Sequence, residues 1–441
     1  MSYPKEFLDR MKNELKDEFD LFLSALEMPA PVSVRLNPFK QTEFFYDSEI
    51  IPWCENGRYL SERPSFTLDP LFHAGCYYVQ EASSMSIEHV IKENVSAAGP
   101  VVALDMCAAP GGKSTHLLSL LPADSLLVSN EVIPSRNNIL RQNIAKWGSH
   151  SCIVTQSKAE DFSSLKGFFD LVLVDAPCSG EGLFRKDPDA MEEWNLMAVS
   201  KCSQRQSEIL HHAGELLSEG GLLIYSTCTW EREENEEQVK ILIERGGYEL
   251  IQLKKNDEGI VQSEFGLRFY PHKVKGEGFF LSALRKTRGV RMIASKKKSA
   301  YAEQNQKAII AKYLEGPELF QPFEKNGLVY AIPAKIYPEF NLIKDKLYIR
   351  HAGVPLGEIK GKDFIPSYEL ALCTHISDKT HFKDLSLDES LEYLRGKWPG
   401  VKLEDRSWSL IKYKGFALGW AREVGGRVNN YYPKECRIKM M

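Results

Sequence analysis

Cys178 and Cys228 each follow a short apolar run. The first lies in Asp175-Ala176-Pro177-Cys178-Ser179-Gly180-Glu181-Gly182, the second in Ser226-Thr227-Cys228-Thr229. With residues 171–174 and 222–225 reading as strands, both thiols project from one edge of a sheet. A free cysteine by default packs as a small hydrophobe, but two at strand ends beside a ligand-binding turn are a less common arrangement. A thiolate there is a nucleophile once a positive or dipolar surrounding draws its pKa below the usual ~8.5. One reaction that needs such a group is methylation of cytosine carbon 5, a position too weakly nucleophilic to take a methyl group directly. Addition of sulfur to carbon 6 makes the ring an enamine-like carbanion equivalent, and carbon 5 then attacks a methyl donor.

The ligand-binding turn is Leu104-Asp105-Met106-Cys107-Ala108-Ala109-Pro110-Gly111-Gly112-Lys113-Ser114-Thr115. Small residues followed by two glycines, between a strand and a helix, let the backbone approach a ligand closely at a helix N-terminus. A Walker A loop would need glycine where Cys107 stands, and a dinucleotide G-x-G-x-x-G is absent, so both nucleotide alternatives weaken. Glu131 ends the next strand and can accept hydrogen bonds from both hydroxyls of a ribose. In isolation it would read as a solvated glutamate.

These residues need a scaffold that gathers strand ends. Apolar runs at 101–104, 125–129, 152–155, 171–174 and 222–225 alternate with helical-period stretches at 113–121, 135–147 and 204–218, the last stopping at Gly220-Gly221 as a C-cap. Alternating βα units of this kind predict a parallel sheet covered by helices on both faces, with functional groups at the carboxyl ends of the strands. Residues 279–284 read as the last strand of the unit. Upstream, Phe7, Met11, Leu15, Phe19 and Phe22 recur at helical spacing until Pro29 and Pro31 interrupt, and Ser33-Val34-Arg35-Leu36-Asn37-Pro38 looks extended. Downstream, β-like runs at 328–332, 347–349 and 416–420 surround one helix with a capping box, Ser386 and Glu389. The expected division is an N-terminal α+β extension (1–85), an α/β core (86–285), a basic linker (286–300) and a mainly β C-terminal domain (301–441).

The 441 residues are 43% hydrophobic and 26% charged, the balance of a globular protein of two or three domains. No apolar run is long enough for a membrane span, and the N-terminus does not read as a signal peptide. Nine irregularly spaced cysteines without a C-x-x-C pair argue against a disulfide framework and a structural zinc site, so a reducing cytoplasm and no metal are expected. The net charge of −4 hides an uneven distribution: −15 over residues 1–284, +7 over 285–300 and +4 over 301–441. RNA binding would therefore fall to local patches. Residues 411–441 hold seven basic and two acidic groups interleaved with Tyr413, Phe416, Trp420, Tyr431 and Tyr432, which suits structured RNA. A β domain with core aromatics and a mildly basic face is an equal alternative for any one of these residues.

Together with Asp69-Pro70-Leu71-Phe72-His73-Ala74-Gly75, Tyr77-Tyr78-Val79-Gln80-Glu81, Arg268-Phe269-Tyr270-Pro271-His272 and Gly276-Glu277-Gly278-Phe279-Phe280, these segments resemble the NOP/Sun-type RNA cytosine-5 methyltransferases. The likeness covers nearly the whole chain and is closest to the RsmF (YebU) branch, which acts on small-subunit ribosomal RNA. It implies a Rossmann-like class I methyltransferase core that uses S-adenosylmethionine, followed by a PUA-like RNA-binding domain, which Phe416-Ala417-Leu418-Gly419-Trp420 and Asn429-Asn430-Tyr431-Tyr432-Pro433-Lys434 resemble. It also implies that the N-terminal extension contacts RNA. By the same resemblance Cys107, Ala108, Ala109, Pro110, Gly111, Gly112 and Lys113 hold the methionine end of the cofactor, and Glu131 holds the ribose. Asp175 stands where cofactor and cytosine meet, Cys228 is the nucleophile and Cys178 promotes release. In DNA cytosine methyltransferases the Pro-Cys thiol is the nucleophile instead, so the assignment to Cys228 rests on the RNA-family likeness.

One departure concerns the adenine contact after the third strand. The family often has an acidic or amide side chain there, whereas this chain has Gln156-Ser157-Lys158, leaving Gln156 and Asp161 as alternatives. The expected partner of a monomeric enzyme is ribosomal RNA or the small ribosomal subunit. Motifs alone do not separate that substrate from tRNA. A non-catalytic ribosome-assembly factor is the rival from another class, and intact Cys178, Cys228 and cofactor turn speak against it.

Overall fold

In the computed structural model, which describes residues 3–295, 304–361, 363–404 and 406–439, the core runs form strands because they are apolar on both faces. Val172, Leu173 and Val174 are all fully buried, as is Val128 on strand Leu126–Asn130 of the same sheet. Continuous burial of this kind marks parallel strands covered on both sides. Five strands pair in parallel in the order Leu217–Thr227, Phe169–Asp175, Val102–Asp105, Leu126–Asn130, Cys152–Thr155. Phe279–Lys286 adds antiparallel to Leu217–Thr227. Helices Ile87–Asn94, Gly112–Leu120 and Pro134–Trp147 cover one face with Val90, Leu117, Leu140 and Ile144. Leu196–Leu216 and Glu236–Glu244 cover the other with Leu210, Ala213, Val239 and Leu242. The chain leaves Val102–Asp105 in one direction and later returns on its other side, and the strand ends at that reversal form a crevice for ligands.

The expected glycine cap at 220–221 is not used. The helix ends at Leu216, Leu217 is already extended, and an eleven-residue strand runs on to Thr227. Gly220, at φ +76°, lies inside that strand, where the pairing slips from Phe169↔Leu217 to Leu171↔Leu222. Glycine here absorbs a kink in a strand rather than ending a helix.

The partition at residue 300 is less clean than the composition suggests. Strand Ile349–Ala352 pairs antiparallel with Cys152–Thr155 and extends the core sheet. Tyr337, Phe340 and Ile343 pack into the same apolar cluster as Val128 and Ile153. The first half of the expected linker is also part of the fold: Lys286 Nζ donates to the Gly214 and Leu217 carbonyls at 2.6 and 2.7 Å, and Arg291 pairs with Asp170 at 2.9 Å. Lys296, Lys297 and Lys298 lie outside the described residues.

Beyond residue 304 two four-stranded sheets, Phe320–Lys325 to Asp363–Pro366 and Phe382–Leu385 to Arg427–Asn430, are joined by more helix than expected. Besides Leu387–Leu394, whose capping box is formed as expected, there are Gln304–Tyr313, Tyr337–Lys344 and Tyr368–Leu372. The last is only five residues long and shows no periodicity to read. The second of these sheets packs on the N-terminal extension, with Leu418 and Tyr432 in one cluster with Val34, Leu36 and Tyr77. No described helix is long and apolar enough to cross a membrane.

Candidate active site

The strand ends enclose a cavity of about 1190 Å³. It is lined by Cys107, Ala108, Ala109, Pro110, Gly112, Lys113, Glu131, Asp175, Cys178 and Cys228, so every predicted site residue except Gly111 faces it. Gly111 contributes through its backbone: it is the N-cap of Gly112–Leu120 at φ +112°, a conformation that favours glycine. A side chain on Gly112 would press on the Tyr78 ring at 3.2 Å. The turn is thus bare backbone at a helix N-terminus, suited to a closely held ligand.

Asp105, at the end of the first core strand, is fully buried on the cavity floor. Its Oδ2 accepts from Ser114 Oγ at 2.7 Å, whereas its Oδ1 has no partner. Burial pushes its pKa up to about 7. An orphaned carboxylate oxygen is a natural acceptor for a cationic or N–H donor on a ligand. Glu131 is buried and uses Oε1 to accept from the Ile133 N–H at 2.8 Å, with Arg136 3.5 Å from Oε2.

Asp175 is held from two sides. Its Oδ2 meets Lys113 Nζ at 2.9 Å and its Oδ1 accepts from Ser226 Oγ at 2.8 Å. Burial alone would depress the Lys113 pKa, but Asp175 outweighs it and the pKa is raised, so the ammonium persists, within electrostatic reach of Cys228 as well.

The two sulfurs meet at the next strand ends. Cys178 Sγ lies 3.0 Å from Cys228 Sγ. That hydrogen bond, followed by burial, lifts the Cys178 pKa well above the usual thiol range. Cys178 therefore keeps its proton at neutral pH, and the two sulfurs share a hydrogen bond in which either can donate. The third cavity cysteine, Cys107, is a protonated thiol as well, pushed up by burial.

Neither alternative for the adenine contact reaches the cavity. The Gln156 backbone N–H is bonded to the Tyr348 carbonyl, and Asp161 Oδ2 accepts from the Lys158 N–H at 2.8 Å. Lys158, Ala159 and Glu160 line the wall instead. The aromatics of the C-terminal region divide: Trp420 and Tyr432 are core residues, whereas Tyr431 is 39% exposed.

Several supporting residues escaped the sequence reading. Arg35 is fully buried and donates to Gln80 Oε1 at 2.9 Å, Thr115 Oγ1 at 2.6 Å and the Gly112 carbonyl at 3.1 Å, tying the N-terminal extension to the glycine turn. Glu234 and Asn235 lie in an acidic stretch, 231–237, that reads as a solvated helix start, yet both are fully buried. Away from the cavity, Cys54, Glu88 and His116 have the composition of a metal site. The Glu88 carboxylate is engaged by His116 at 2.9 Å, Cys54 at 3.1 Å, Lys92 at 2.7 Å and the Glu55 N–H at 3.1 Å. This is a buried hydrogen-bond network.

Residues 98–285 match the family model of 16S rRNA methyltransferase RsmB/F. Residues 3–82 match the N-terminal domain of 16S rRNA methyltransferase RsmF, and residues 381–438 match the RsmF PUA domain. The chain is 30% identical to ribosomal RNA small subunit methyltransferase F of Cronobacter sakazakii, over 98% of this chain and 96% of that one. It is 31% identical to the protein of the same name from Aliivibrio fischeri strain ES114, over 98% and 97%. Among solved structures, a methyltransferase homolog from Pyrococcus horikoshii superposes with a TM-score of 0.56 at 28% identity, covering 65% of this chain and 96% of that one. NSun6 from Pyrococcus horikoshii, solved with SFG, a SAM analogue, superposes at 0.55 with 22% identity, over 65% and 98%, and shares the fold. With a relative at 30% identity spanning both chains end to end, this protein belongs to the 16S rRNA methyltransferase RsmB/F family, in its RsmF branch.

Proposed function

We propose that the protein methylates carbon 5 of a cytosine in small-subunit ribosomal RNA, with S-adenosylmethionine as methyl donor, through a covalent adduct on Cys228. The observation that carries this reading is the pair of sulfurs, 3.0 Å apart at the ends of adjacent parallel strands, in the same cavity as the cofactor turn. The cavity exceeds the ~300–1,000 Å³ that one drug-sized ligand takes, which leaves room for a flipped-out base beside a cofactor.

The residues present fit the cofactor. The bare turn 107–113 would take the methionine end, with the orphaned Asp105 Oδ1 as an acceptor for its ammonium, and buried Glu131 would take the ribose. Bound there, the cofactor supplies an electrophilic methyl group.

The protein's own groups do the rest. Cys228, as thiolate, adds to carbon 6 of the cytosine, and Asp175 hydrogen-bonds the base as charge moves onto the ring. Lys113 places a cation within electrostatic reach of that sulfur. Carbon 5 takes the methyl group and still carries its proton. Once the Cys228 sulfur is bonded to carbon it no longer shares a proton with Cys178, and the Cys178 proton passes to solvent. The Cys178 thiolate then takes the carbon 5 proton. The electron pair of that C–H bond restores the 5,6 double bond and breaks the sulfur–carbon bond, returning Cys178 as thiol and Cys228 as thiolate. One proton is released in the cycle. Cytoplasmic small-subunit RNA is the matching substrate, since both thiols must stay reduced.

A denaturing gel tests the assignment. Cys178→Ala should accumulate a covalent enzyme–RNA complex, Cys228→Ala should form none, and the double variant should resemble Cys228→Ala. The inverse pattern, with the complex appearing only when Cys228 is removed, would assign the nucleophile to Cys178.

A further inference from the structure

We propose that Glu234 and Asn235, consecutive residues before helix Glu236–Glu244, are the positioning residues of the two sulfurs, Glu234 for Cys178 and Asn235 for Cys228. The proposal rests on the cysteine roles given above.

Glu234 is fully buried, and its carboxylate accepts from the backbone next to Cys178. The Ser179 N–H donates to both oxygens, at 3.0 and 3.3 Å. Gln206 Nε2 donates to Oε2 at 2.7 Å and also to the Pro177 carbonyl at 3.0 Å. The residues before and after Cys178 are thus tied to one carboxylate, directly at Ser179 and through Gln206 at Pro177. Asn235 brackets the other sulfur in the same way. Its Oδ1 accepts from Thr227 Oγ1 at 2.6 Å, and its Nδ2 donates to the Thr229 carbonyl at 3.0 Å. A single planar peptide links the two clamps, so they hold the two loops in one frame and fix the distance between the sulfurs.

The chemistry of Glu234 goes beyond what stability asks for. Among the described residues it has no ion pair, and a buried carboxylate without a cation is costly. Burial pushes its pKa up to about 7. A buried, hydrogen-bonded group that orients the residues doing chemistry is what a precise site requires of its supporting shell. Neither Glu234 nor Asn235 lines the cavity, so cofactor binding does not depend on their contacts with a ligand.

The two clamps act on different steps. Loosening Cys178 leaves addition and methylation intact and slows release. Loosening Cys228 slows addition itself.

The experiment uses the full chain with S-adenosylmethionine and transcribed small-subunit ribosomal RNA, read by methyl incorporation and by denaturing gel, with Cys178→Ala alongside. Glu234→Ala should accumulate the covalent complex as Cys178→Ala does, with multiple turnover slowed about 10²-fold, the cost of a misplaced reacting group. Asn235→Ala should show little complex and a similarly slowed first methylation. Affinity for S-adenosylhomocysteine should match the parent in both. Glu234→Gln keeps an oxygen opposite the Ser179 N–H and should restore release to within about tenfold. If either alanine variant does not fold, Glu234→Asp and Asn235→Asp are read in its place: the first draws the carboxylate back by one methylene, the second loses the donor to Thr229. If Cys178→Ala traps the complex and the Glu234 variant does not, the positioning role of Glu234 is overturned. An Asn235 variant that accumulates complex overturns the role of Asn235. If Cys178→Ala traps nothing, the cysteine roles themselves fail.

Discussion

Lys113 Nζ lies 2.9 Å from Asp175 Oδ2, joining the helix after the first core strand to the end of the fourth across the cavity floor. Removing the carboxylate leaves a cation in a site where burial already opposes it. Asp175→Asn should therefore lower stability and also methyl transfer, the latter by about 10²-fold if the base is oriented there. Because the partners share one interaction, Lys113→Met combined with Asp175→Asn should cost less than the sum of the two, by about 1 kcal/mol at this partly exposed pair. Strictly additive losses in a urea-denaturation cycle would show that the pair is not coupled.

Asp105 gives a pH signature. Its folded pKa of about 7 lies above the ordinary carboxylate value because the group is buried. Between about pH 4 and 7 the unfolded chain has released this proton and the folded chain still holds it, so raising pH across that window favours unfolding. Above 7 both states are ionised and the slope vanishes. Asp105→Asn removes the effect, so the stability of the variant relative to its parent should climb from pH 4 to 7, by up to about 4 kcal/mol, and then level off. The slope is the prediction, since the amide also changes the hydrogen bond with Ser114. Parallel melts across the range measure it, and a flat difference would place the Asp105 titration elsewhere.

Arg35 should be the residue of the N-terminal extension on which the cofactor turn depends. It is stacked over Trp147 at 4.4 Å and gives its donors to Gln80, Thr115 and the Gly112 carbonyl. Burial lowers its pKa only to about 10, so it remains charged. Arg35→Ala should cost about 3 kcal/mol, by leaving those acceptors unpaired in a dry site, and should weaken cofactor binding by loosening the helix N-terminus. Arg35→Lys should recover little of either, because an ammonium cannot reproduce the fork. Urea denaturation and calorimetry with S-adenosylhomocysteine read the two effects separately.

What the sequence revealed and what it hid follow from the range of the interactions. The core strands were legible because their apolar runs are local, and the two cysteines and the turn were legible because strand ends gather in space whatever the intervening lengths. Arg35 was hidden: a lone arginine in an extended segment carries no sign that it will meet Thr115, eighty residues on. Glu234 and Asn235 were hidden by composition, since glutamates at a helix start read as solvated. The partition at 300 misled for the same reason, because pairing of Ile349–Ala352 with Cys152–Thr155 joins segments nearly two hundred residues apart. Which aromatics would face solvent was also a tertiary matter, and it removed Trp420 and Tyr432 from the RNA-facing set.

With those two aromatics in the core, Phe382, Lys412 and Lys414 are surface groups of this domain at which RNA contact can be tested. Phe382 is 51% exposed with Lys412 Nζ 4.4 Å from its ring centre, and Lys414 is exposed on the turn that follows. Truncation at residue 300 is a poor test, because it would bare the edge of the core sheet and the partners of Phe340 and Ile343. Point substitutions separate charge from stacking. Lys412→Ala and Lys414→Ala should each reduce the dependence of log affinity on log salt by about 0.7 to 0.9 if each neutralises one phosphate. Phe382→Ala should instead weaken binding by about 1 to 3 kcal/mol, the worth of one stacked base, while leaving the salt slope unchanged. Cofactor affinity should be untouched in all three, since none of them lines the cavity. Titrations of RNA at several salt concentrations give both quantities, and an unchanged slope in the double lysine variant would place the phosphate contacts on another face.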